Sequence, residues 1–123
     1  MERNVDIHRV FAGLGGLFGA AGIAAYASAA HSASGHMATI APILLIHAPA
    51  FLALSMLAKL SRGAYFGGLV LVLGLLLFIG DLVSRDISAD RLFPFAAPLG
   101  GSLLILGWIV VAATAFRSLD FRK

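Results

Sequence analysis

The chain has 123 residues, 60% of them hydrophobic and only 12% charged, with no cysteine and a formal net charge of +3. A soluble domain keeps about a quarter of its residues charged, so this chain lacks the polar surface to cover a core in water, and its mean hydropathy of +0.97 agrees. The lack of cysteine rules out disulfides, thiolate metal sites and a cysteine nucleophile. The basic residues stand at the ends of apolar stretches, where they anchor to lipid headgroups rather than to nucleic acid.

The first apolar stretch covers residues 10–30 and is crowded with small residues. Gly15, Gly19 and Gly22 fall at helical spacing on one face. Close backbone approach replaces the missing hydrophobic force between helices in lipid, so that face is expected to pack inside a bundle rather than to form an intermolecular seam. Residues 25–30 also carry the small-residue pattern that a signal peptidase prefers. The glycine-rich lead and the mixed charges of residues 1–9 instead favour a permanent helix.

The second stretch, residues 37–58, contains Pro42 and Pro49, which are expected to kink a helix and shape its packing. The third, residues 64–83, carries Gly67, Gly68, Gly74 and Gly80, with Asp81 near its end. The fourth, residues 95–116, is preceded by Pro94 and holds Pro98, both at the start of the helix where a missing N–H is tolerated. It continues through Gly100, Gly101, Gly107 and Trp108, the tryptophan being read as a packing residue. Each stretch matches the ~20 residues that cross a ~30 Å hydrocarbon core. Only a helix satisfies its backbone groups within one such segment. The prediction is an all-α, antiparallel bundle of four transmembrane helices in one integral domain, residues 1–123.

Residues 31–36, 59–63 and 84–94 form the predicted loops, too short to hold a separate catalytic domain. Seven Lys and Arg fall on the amino-terminal, second-loop and carboxy-terminal segments, against two on the other side. That asymmetry predicts both termini in the cytoplasm and the histidine-containing first loop outside.

His47 and Asp81 are the ionisable groups placed at membrane depth. Such residues are costly there, by about 3 kcal/mol or more for a charged group at mid-membrane, and they face a partner or a cavity. His47 falls ~15 Å below the outer end of its helix and Asp81 ~5 Å below, which argues against direct contact. Arg85, four residues after Asp81, can neutralise it as an i,i+4 pair; Arg91 is a second candidate. The bland expectation is a neutral His47 hydrogen-bonded between helices and an interfacial ion pair at Asp81. The sharper one is a proton or cation relay.

Catalytic motifs are missing: there is no HExxH, phosphate loop or supported Ser-His-Asp arrangement. His31 and His36, even with His8 or Asp81, do not make a metal site, and His47 lacks a second intramembrane histidine for haem. No cofactor is expected.

The sequence resembles the small bacterial membrane proteins grouped as domain of unknown function 423, with transmembrane protein 256 as the eukaryotic relative. The resemblance covers about residues 9–116. It rests on Gly19-Ala20-Ala21, on His47, on Leu77-Phe78-Ile79-Gly80, and on Ala97-Pro98-Leu99-Gly100-Gly101 followed by Leu106-Gly107-Trp108. Members of that family commonly carry a histidine where this chain has Ala21, and many a serine where it has Asp81, which weakens a relay. The resemblance implies a four-helix inner-membrane protein and carries no activity.

The functional expectation is therefore a non-enzymatic accessory or assembly subunit of a larger membrane complex. Its partners would be the bilayer and other membrane subunits or itself, not nucleic acid. The alternative is a homo-oligomeric small-solute or ion transporter or channel with His47 and Asp81 lining a polar path.

Overall fold

The computed structural model describes residues 6–32 and 35–117. Its four helices run α1 (Ile7–His31), α2 (Met37–Leu57), α3 (Arg62–Ser88) and α4 (Ala96–Ala113), followed by a 3₁₀ turn at Thr114–Phe116. All four are long and apolar enough to cross a membrane. They form two antiparallel hairpins, α1–α2 and α3–α4, whose backbones approach far more closely within a hairpin than between hairpins.

Glycine sets that close approach. A Cβ on Gly15 would meet the Ala48 carbonyl at 2.9 Å, and one on Gly22 would meet Leu45 at 2.6 Å, so α1 lies directly on α2. In the second hairpin Gly74 and Gly100 face one another, each 2.9 Å from the other's carbonyl oxygen as measured from an added Cβ, and Gly107 packs under Leu71. Gly19 and Gly101 stand only in ordinary contact, and Gly80 faces the flexible tip of Leu92. Gly67, against Val111, and Gly68, under the Phe11 ring, are further close approaches.

Between the hairpins the spacing is set by larger side chains. Phe11, Phe51, Leu71 and Leu75 are buried together, with Phe51 meeting the rings of Phe11 and Phe18 edge-on at 5.5 and 5.3 Å. A second cluster at the other end joins Ala25, Ile40, Ala41, Leu44 and Leu82.

The third helix departs from its expected length. It continues beyond Val83 to Ser88, so residues 84–88 are helical and the connection to α4 is shorter than the predicted 84–94 loop. Counting apolar residues stops at a charge, whereas the backbone continues because Asp81 and Arg85 neutralise one another one turn apart. The helix closes at Ala89, which takes a left-handed conformation (φ 62°) while its N–H bonds the Arg85 carbonyl. At its start, Ser61 caps the helix by accepting from the Ala64 N–H. Pro42 and Pro49 lie inside an α2 that is helical throughout.

Candidate functional site

His47 is 4% exposed and sits where α2 passes α4. Its Nδ1 lies 2.7 Å from the Ile43 carbonyl, and its Nε2 lies 3.1 Å from the indole nitrogen of Trp108. A carbonyl can only accept and an indole N–H can only donate. The imidazole is therefore neutral, with its proton on Nδ1, and both ring nitrogens are satisfied. Trp108 is more than a packing residue: it supplies the interhelical donor. The sequence held a signal for this, since α2 and α4 run in the same direction. At about 1.5 Å per residue, His47 lies ~15 Å from the start of its helix and Trp108 ~18 Å from the start of its own.

Beside this pair a groove of about 570 Å³ opens between α2 and α4. Phe78 of α3 lines it together with Ile43, Leu104, Ile105 and Ile109. Its lining is almost wholly apolar, and Trp108, 39% exposed, stands at its edge.

Asp81 is completely buried, near the α1–α2 loop end of α3. Oδ2 accepts from Arg85 Nη2 at 2.7 Å, and Oδ1 accepts from the Leu92 backbone N–H at 2.9 Å. One carboxylate thus neutralises a guanidinium on its own helix and pins the connection to α4. Arg91 takes no part in this pair; its Nη1 donates to the Pro94 carbonyl at 3.3 Å. Ser84 adds a further tie by donating to the Asp90 carbonyl. The partners of Asp81 and His47 are disjoint, and no hydrogen bond joins the two among the described residues.

A third polar contact was not foreseen from the sequence. Asp86 accepts from the His36 backbone N–H at 2.8 Å and lies 2.6 Å from His36 Nδ1, clasping the start of α2 to the end of α3. Asp86 lies beyond the apolar run that ends at Val83. These two contacts, the backbone N–H foremost, hold its carboxyl below the usual range. His31 closes α1, and His8 lies 4.0 Å from Asp6 at the opposite end of that helix.

The model of the family described as "Protein of unknown function (DUF423)" matches residues 16–101. The chain belongs to the DUF423 family. The matched segment contains His47, Asp81 and Arg85 and ends before Trp108. Among relatives, "UPF0382 inner membrane protein YgdD" of Escherichia coli (strain K12) is 35% identical over 66 residues, covering 54% of this chain and 50% of that protein. A "UPF0382 membrane protein" of Haemophilus influenzae is 36% identical over 47 residues, 38% of each chain. The matched stretch thus spans about half or less of the length of these relatives. No solved structure matches. With four helices able to cross a bilayer and relatives named as inner-membrane proteins, this DUF423 member is an integral protein of the inner membrane.

Proposed function

We infer that this DUF423 protein is a non-enzymatic accessory or assembly subunit of a larger inner-membrane complex, with both termini on the cytoplasmic side. The observation that carries the reading is the apolar groove between α2 and α4. It is open to the side of the bundle at mid-membrane depth, and the polar groups beside it already satisfy one another. A groove of this kind suits a transmembrane helix of a neighbouring protein. Packing in lipid rests on van der Waals contact, and a partner helix would bring that contact without disturbing the His47–Trp108 bond.

Native mass spectrometry of the full chain, extracted gently from its own membranes at native expression level, tests this. A reproducible complex with other polypeptides supports the subunit reading; a lone chain or homo-oligomer counts against it. The transporter alternative needs a polar path past His47 and Asp81, and the separate protein partners that already hold each of them weigh against one. Flux in proteoliposomes that survives His47→Ala and Asp81→Asn unchanged would remove those residues from any path. The chain has no cysteine, so a single cysteine at Lys59 or Ser88, probed with a membrane-impermeant thiol reagent, reads the orientation directly.

A further inference from the structure

Where α1 ends, α2 begins and α3 finishes, two cavities lie side by side. The upper, about 470 Å³, is lined by Ser28, Ser32, Gly35, Met37, Arg85 and Asp86. The lower, about 380 Å³, lies between α1 and α3, with Ala21 and Ala25 on one wall and Ile79 and Val83 on the other. Ile40 and Leu44 of α2, both buried, form its floor. Ser28 and Met37 line both cavities, so a polar chamber adjoins an apolar groove at these two side chains. Along α1 the pair runs from Ala21 to Ser32, roughly 16 Å of helix rise. That is about the depth of one leaflet's hydrocarbon, half of a ~30 Å core.

The chamber carries both signs of charge. Arg85 gives Nη2 to Asp81, and its side chain, 26% exposed, lines the chamber. A guanidinium presents donors in the fork geometry that phosphate oxygens match. On the same rim, Asp86 holds His36 through single contacts to each oxygen, and a carboxylate oxygen has room for a second donor.

We propose that this double cavity binds one zwitterionic phospholipid of the phosphatidylethanolamine class. The phosphate lies on Arg85, the ammonium against Asp86, and an acyl chain fills the groove between α1 and α3. The mixed lining selects the headgroup. Phosphatidylglycerol would satisfy Arg85 but bring a net negative charge beside Asp81 and Asp86. Phosphatidylcholine carries no N–H to donate to Asp86. Free phosphate has no use for the groove, which is why a lipid is the occupant rather than an inorganic anion.

The test is native mass spectrometry of the purified full chain in detergent micelles. Phosphatidylethanolamine, phosphatidylglycerol, phosphatidylcholine and diacylglycerol, all with the same acyl chains, are offered separately, and inorganic phosphate alone in parallel. Phosphatidylethanolamine should be retained about tenfold better than phosphatidylcholine, the ratio expected from one charge-assisted hydrogen bond, and by a larger factor over diacylglycerol, which lacks the phosphate as well as the ammonium. Ser28→Leu places a bulky side chain at the junction from an exposed position on α1 and should abolish the preference with the helical spectrum unchanged. Arg85→Lys keeps a cation for Asp81 but gives up the fork, and should reduce the ratio. Ala112→Leu, on the lining of the groove between α2 and α4, should leave it intact. Equal retention of diacylglycerol and phosphatidylethanolamine overturns the proposal, as does wild-type preference in the folded Ser28→Leu variant. Loss of the preference in Ala112→Leu overturns the location, and phosphate retained as firmly as the lipid overturns the occupant.

Discussion

An alanine at position 100 would have to share space with the backbone of α3. Its Cβ would fall 2.5 Å from the Phe78 amide nitrogen and 2.9 Å from both the Phe78 Cα and the Gly74 carbonyl oxygen. Backbone atoms cannot rotate aside as a leucine tip can. Ordinary contact begins at 3.4 Å, so α3 and α4 must part locally by about 0.9 Å. A gap of about 0.5–1 Å forfeits a quarter to a half of each dispersion contact it opens. Overpacking of this kind costs about 1–3 kcal/mol, which outweighs the ~1 kcal/mol that alanine gains over glycine in helix propensity. Its neighbour is the control. A Cβ on Gly101 meets only the Phe78 ring edge at 3.9 Å, so Gly101→Ala should be neutral or mildly stabilising.

The assay is equilibrium unfolding in mixed micelles, followed by far-UV circular dichroism and by the fluorescence of the single tryptophan, which lies on α4. Gly100→Ala should lose about 1 kcal/mol net of the propensity gain while Gly101→Ala does not. If Gly100→Ala is as stable as the wild type, or both variants lose equally, the claim that backbone contact at Gly74 and Gly100 holds α3 to α4 fails.

Other expectations follow from the polar contacts. Trp108→Phe leaves the buried Nε2 of His47 without its donor and should cost about 0.6 kcal/mol and no more than about 1.7, the average and the maximum for interhelical hydrogen bonds in a membrane protein. Adding His47→Leu should return much of that loss, because replacing both partners of a buried bond can be nearly neutral; a double-mutant cycle measures the coupling. Asp81→Ala removes one partner of a buried ion pair and should destabilise by about 3 kcal/mol, with faster hydrogen exchange at the Leu92 amide. Arg91→Ala, at an exposed position, should leave both readouts unchanged. The His36–Asp86 clasp should depend on pH in one direction. Because the Asp86 carboxyl is held below its usual range, its contribution is present above the unfolded carboxylate pKa of about 3.9 and lost as pH falls through the lower folded value. Wild type and Asp86→Asn should therefore differ in stability at neutral pH and converge in acid.

The four spans were legible because hydropathy and length alone decide them, and the short loops made neighbouring helices antiparallel. The end of α3 was not, since a count of apolar residues cannot register that Asp81 and Arg85 cancel one another within a continuing helix. The glycines show a different limit. Helical spacing put Gly15, Gly19 and Gly22 on one face without distinguishing among them, whereas the close approaches recur at seven, in Gly15 and Gly22, Gly67 and Gly74, and Gly100 and Gly107. Seven residues are nearly two full turns, so these positions return to one face along helices that cross at a shallow angle. The His47–Trp108 bond could have been reached from helix direction and depth. The His36–Asp86 clasp could not, because it joins a loop to a helix end fifty residues away and no periodicity marks it.

The same contacts divide the molecule by what each region can tolerate. Within each hairpin, glycine brings backbone against backbone, and in a bilayer that close contact is the principal source of helix association. Between hairpins the phenylalanine and leucine cluster keeps the helices wider apart, and directional contacts fix the alignment: His47 with Trp108 across one groove, His36 with Asp86 beside the other. Wider spacing is what leaves room for a groove on each side of the bundle. A helix or a lipid can enter there without separating α1 from α2 or α3 from α4. Substitutions at Gly15, Gly74 or Gly100 should therefore act on stability first, whereas Ser28→Leu and Ala112→Leu should leave stability near that of the wild type and change what the protein retains on extraction.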